Sequence, residues 1–154
     1  MKLLTQALKN TLLIPAALLT IGVTASRANA QSQIYSPIPL PDNQEVTDSL
    51  SSQDIPTGFG GFARDYTIEL KAGDQVAIDV TSNEFDTLVS LMSPDGATVG
   101  ENDDGPDGTT NSLLFARITE PGTYTVRVRS YAGQGEGEFL LKLARLRPAN
   151  EVCP

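Results

Sequence analysis

Asp86, Asn102, Asp103, Asp104 and Asp107 are the residues of this chain whose types and spacing point most directly to chemistry. All carry side-chain oxygens, and the last four crowd into the stretch Val99-Gly-Glu-Asn-Asp-Asp-Gly-Pro-Asp-Gly-Thr-Thr-Asn-Ser112. Calcium takes six to eight oxygen ligands from carboxylates, amide and backbone carbonyls and water, so this stretch is a candidate hard-cation loop. It is not an EF-hand. Asp103, Asp107 and Gly108 occupy the first, fifth and sixth positions of that template, but Gly105 fails the third and Leu114 stands where a bidentate Glu belongs.

A hairpin supplies a different arrangement. Ser93-Pro-Asp-Gly96 has Pro second and Gly fourth, the chemistry of a type I turn. Pairing outward from that turn sets Asp86 opposite Asp103 or Asp104. Facing carboxylates repel, and residues 72–116 hold nine acids without one Lys or Arg, so a bound cation would relieve the repulsion. The plain alternative is that Asn, Asp and Gly serve turn geometry, bonding local amides and water.

The inventory excludes much catalysis. There is no histidine, and the single cysteine, Cys153, stands next to the last residue, which removes Ser-His-Asp, Cys-His and histidine-zinc machinery. A glycosidase pair needs one buried acid with a raised pKa across a cleft from another. The acids here lie in polar, glycine-rich loops that keep them ionised, so an enzyme is not expected. For partner binding the candidates are Arg127, Arg129 and Tyr131, with Phe85 as further aromatic surface. Their ordinary reading is solvated strand-face charge and half-buried packing.

The elements that must position these residues are short strands. Tyr66, Ile68 and Leu70 recur at every second position, as do Val76, Ile78 and Val80, then Tyr124, Val126 and Val128, then Phe139, Leu141 and Leu143. A period of two marks half-buried strands. Strands are expected at 46–50, 64–70, 75–81, 87–92, 97–100, 112–118, 123–131 and 138–146. Seven to eight strands separated by Gly, Pro and Asp turns give an all-β chain, an antiparallel β-sandwich of jelly-roll type.

Ahead of them, Lys2 and Lys9, an apolar run to Val23 and Ala28-Asn29-Ala30 make a secretory signal peptide over 1–30. The run is shorter than the ~20 residues a membrane helix needs, so no stable membrane anchor is expected. A Pro-rich extended arm, read as a spacer, follows at 31–44, then a domain over 45–147 and a tail over 148–154. Net charge is −8 for the whole sequence. Losing Lys2, Lys9 and Arg27 leaves 8 bases against 19 acids, which argues against a nucleic-acid partner.

The order of these features resembles the bacterial pre-peptidase C-terminal domain. Arg64-Asp-Tyr-Thr-Ile-Glu-Leu70, Ala72-Gly-Asp-Gln-Val-Ala-Ile-Asp79, Phe85-Asp-Thr-Leu88, Ser93-Pro-Asp-Gly96, Asn102-Asp-Asp104 and Gly122-Thr-Tyr-Thr-Val126 carry the likeness, from about Glu45 to Leu143. The resemblance implies a jelly-roll sandwich without catalysis of its own, often assisting a neighbouring secreted enzyme. Some relatives bind calcium, and some bind collagen or other insoluble polymers. No peptidase domain precedes the sandwich in this sequence, which points to a free-standing module. The expectation is an exported binding or stability module, secreted or periplasmic, with a structural calcium ion and a secreted protein or extracellular polymer as partner. The alternative is a carbohydrate-binding sandwich of the same class.

Overall fold

Residues 35–41 and 45–146 are described by a computed structural model, and the expected signal peptide and the tail with Cys153 lie outside them. Ten strands run in chain order: β1 (Ile38–Pro39), β2 (Glu45–Leu50), β3 (Ile55–Pro56), β4 (Phe62–Leu70), β5 (Gln75–Thr81), β6 (Thr87–Met92), β7 (Thr98–Asn102), β8 (Ser112–Arg117), β9 (Gly122–Ser130) and β10 (Gly137–Leu146). Eight of them match the expected strands to within two residues at most ends. The two additions, β1 and β3, have two residues each.

The strands form two sheets. One runs β1-β4-β9-β6-β7 with β3 also on β4, and the other runs β2-β10-β5-β8. From β4 onward the chain alternates between the sheets except at the β6–β7 hairpin, and every pairing is antiparallel except β1 with β4. The alternating rows meet between the layers. Tyr66, Val76, Ile78, Val80, Val89, Leu91, Val126, Val128, Leu141 and Leu143 are all fully buried there. Phe139 takes edge-on contacts from Tyr66 and Phe85, and these aromatics close one region of the core.

The proline arm does more than space the domain. Ile38 pairs with Tyr66 and Pro39 with Thr67, Leu40 N–H donates to Thr67 O at 2.8 Å, and the Leu40 side chain is buried. Spacing explains how a proline-rich segment can join a sheet. Prolines 37, 39 and 41 alternate, so their missing N–H groups fall on the outer side of an edge strand while Leu40 turns its donor inward. β3 covers β4 at Phe62 and Ala63, so this edge is blocked in two pieces. Leu40→Ala is expected to lower the unfolding free energy by about 2–3 kcal/mol in a urea titration, whereas a spacer residue would leave it unchanged.

Candidate functional site

Asp86 sits just before β6, and the acidic loop leaves the end of β7 beside it. The turn forms as its sequence dictates: Gly96 N–H donates to Ser93 O, Ser93 N–H donates to Ala97 O, each at 2.8 Å, and Gly96 takes φ 85°. The ladder then shifts. Met92 pairs with Thr98 but Leu91 pairs with Gly100, so Val99 bulges out and the register moves by one. Pairing ends at Val89 with Asn102, and extending it would put Asp86 opposite Gly105 rather than Asp103 or Asp104. The carboxylates still act on one another. Burial pushes the Asp86 carboxyl above its ordinary value, and the charges of Asp104 and Asp103 push it further.

The five oxygen-bearing residues divide. Asn102 Oδ1 accepts the Leu113 N–H at 2.9 Å, tying β7 to β8 across the two sheets. Asp107 Oδ1 accepts from the Thr109 hydroxyl at 2.8 Å and from its N–H at 3.2 Å, bonds that hold its carboxyl below its ordinary value. Asp107 also adds its charge to the burial that pushes Asp79 of β5 upward, with Lys142 opposing. It thus acts on the neighbouring sheet. Asp103 Oδ1 accepts the Asp104 N–H at 3.1 Å, and Asp86 Oδ1 is shielded from solvent with no hydrogen-bond partner among the described residues. Among those residues no three acidic or other ligating side chains form a ready metal cage.

Polar residues that sequence reasoning passed over support the loop from below. The Thr87 and Ser112 hydroxyls, both fully buried, lie 2.8 Å apart and join the sheets, and Ser112 Oγ donates to Asp103 O at 3.3 Å. Gly105 N–H donates to Asn111 O at 2.6 Å and closes the loop, while Asn111 Oδ1 accepts the Ser82 N–H. A side chain at Gly105 would press to 3.0 Å from that carbonyl. Only their small size and turn chemistry signalled these roles.

Arg127 and Arg129 lie on the outer face of the six-stranded sheet. Arg127 Nε and Nη2 donate to the two oxygens of Asp65, each at 2.7 Å, and the Asp65 carboxylate is wholly buried. Arg129 Nη2 reaches Glu101 Oε2 at 3.1 Å, where Ser90 Oγ also donates at 2.6 Å and holds Glu101 below its ordinary value. Both charges are matched within the fold. Both residues also line a cleft of about 260 Å³ with Thr57, Phe59, Met92 and Glu101.

The glycine-rich loops beside that cleft are interlocked. Gly61 (φ 67°) and Gly133 (φ 68°) touch so closely that a Cβ on Gly61 would fall 2.7 Å from Gly133 Cα, and one on Gly133 would fall 2.5 Å from the Gly60 carbonyl carbon. Neither loop can carry a side chain there. Thr57 N–H donates to Gly61 O at 3.0 Å, and its hydroxyl donates to Gly60 O. Phe59 projects from the tip. Tyr131, half exposed, donates its N–H to Asp86 O at 2.8 Å, so the turn that locks the Phe59 loop also anchors Asp86.

A raised carboxyl holds its proton more tightly in the folded state than in the unfolded one, so ionising Asp86 costs stability as pH rises through the carboxylate range. In chelator at neutral pH, Asp86→Asn is expected to melt about 2 °C above the parent chain by calorimetry. The gap should close toward pH ~3, where the parent carboxyl is protonated.

Residues 63–130 match the family model of the bacterial pre-peptidase C-terminal domain. No curated protein matches the chain in sequence. Among solved structures, the pre-peptidase C-terminal domain of a Bacillus anthracis collagenase is 14% identical, covering 70% of this chain and 94% of its own, with a TM-score of 0.53. PliG of Aeromonas hydrophila, a periplasmic inhibitor of g-type lysozyme, is 16% identical over 72% of this chain and 96% of its own, at 0.55. PliG of Salmonella Typhimurium is 10% identical over 73% and 100%, at 0.50. At these identities the likeness to solved structures concerns the fold.

Proposed function

Because residues 63–130 carry a bacterial pre-peptidase C-terminal domain sequence, folded as an all-β sandwich, we propose that the chain is an exported, non-catalytic binding and stability module with a structural calcium ion. The observation that carries the calcium reading is Asp86 Oδ1, shielded and unpartnered, with Asp104 and Asp103 as the charges acting on it. A carboxylate oxygen shielded from water without a hydrogen-bond donor, and under the charges of two further acids, is costly unless a cation meets it. Asp86, Asp103 and Asp104 supply carboxylates from two strand ends, and calcium's remaining ligands come from backbone carbonyls and water. The ion neutralises the repulsion there.

Export is supported by the sequence of residues 1–30, and among the described residues no helix is long and apolar enough to cross a membrane. A protein partner is favoured over a polysaccharide. Sugar-binding faces carry rows of exposed aromatics, whereas the exposed Tyr35, Phe59, Phe115 and Tyr131 stand on the arm, on a loop, on the four-stranded sheet and on a turn. PliG, which shares the fold, is by name an inhibitor of another protein, and the other neighbour is by name a domain of a collagenase.

Calcium binding only the native state must raise its stability. Melting in about 1 mM calcium is expected to exceed melting in chelator by several degrees, and Asp86→Asn should lose that gain. Equal midpoints for the parent chain remove the calcium part of the proposal. Pull-down of an exported protein in both conditions tests the binding part separately.

A further inference from the structure

Phe59 is the most exposed large apolar side chain among the described residues, at 90% of its full accessibility. It adds nothing to the core, and a slack loop would let it fold onto the sheet. The loop is not slack: the Thr57–Gly61 hydrogen bond and the contact of Gly60 and Gly61 with Gly133 hold it closed, with Phe59 outward. An aromatic ring fixed in the open before any partner arrives loses little freedom on binding. Directly beside it, Arg127 and Arg129 line the cleft, and beyond the Arg127 Nε and Nη2 bonds to Asp65 and the Arg129 Nη2 bond to Glu101 their remaining N–H groups have no partner among the described residues.

We infer that Phe59 is the anchor of a protein-docking surface, entering an apolar pocket of the partner while Arg127 and Arg129 meet acidic groups at the pocket rim. The occupant follows from the chemistry of the surface. A single ring on a projecting loop fits a concave protein pocket rather than a flat polymer, and the guanidinium N–H groups left over from the Asp65 and Glu101 pairs can each donate a charge-assisted hydrogen bond to a carboxylate. This rests on the reading of the chain as a protein-binding module.

The test immobilises the parent chain, F59S, R129A and F115S and offers each the exported-protein fraction of the source cells in calcium buffer. Phe115 stands exposed on the other sheet and serves as the control. The surface is supported by a protein that binds the parent chain and F115S equally, F59S about tenfold or more weakly and R129A several-fold more weakly, with added salt weakening the parent complex. F59S should melt with the parent chain, which separates docking from folding. A protein that F59S retains in full overturns the Phe59 surface and leaves the binding-module reading standing. Recovery of no protein by any form overturns both.

Discussion

Everything at the loop end of this sandwich depends on one constraint: two faces of alternating residues must bury each other in a single register. Val76, Ile78 and Val80 on one layer, and Val126 and Val128 on the other, are fully buried, and each such side chain contributes roughly 1.5–3 kcal/mol relative to exposure. A slip of one residue would turn every one of them to water. That cost pins the strand ends, and with them the loops. The core closes toward the acidic loop in a polar tie, the buried hydroxyls of Thr87 and Ser112, which fixes the separation of the sheets where Asp86 and Asp103 emerge.

The same constraint links the candidate cation site to the aromatic loop. Tyr131 N–H holds Asp86 O, the turn Tyr131–Gly133 follows at once, and Gly133 is locked against Gly60 and Gly61 beneath Phe59. Repulsion among Asp86, Asp103 and Asp104 therefore acts on the backbone that carries the ring. An ion that quiets the carboxylates would steady the loop that meets a partner, without any contact between ion and partner.

Strand positions were legible because alternation is a property of neighbouring residues. The sandwich and its eight longer strands follow from it, whereas the expected pairing of Asp86 with Asp103 or Asp104 does not, because extending the ladder sets Asp86 opposite Gly105. The bulge at Val99 was not legible, since Thr-Val-Gly reads equally well paired or unpaired, and it moved the register by one. Asn102 and Asp107 bear the right atoms for a metal, but their hydrogen bonds to Leu113 and Thr109 appear only once the loop closes. Leu40 was hidden by the prolines around it, whose spacing was the signal that an edge strand is possible. Phe59 was hidden among glycines that looked flexible and prove to be interlocked, a contact between segments some 70 residues apart in sequence.

The central claim, that calcium is held by the carboxylates at two strand ends rather than by the loop as a linear motif, is tested most directly by backbone amide NMR during a calcium titration of the metal-free chain. The account predicts saturable shifts centred on Phe85–Thr87 and Asp103–Gly105 and reaching Tyr131. Shifts centred on Asp107–Thr109, or none at millimolar calcium, would contradict it.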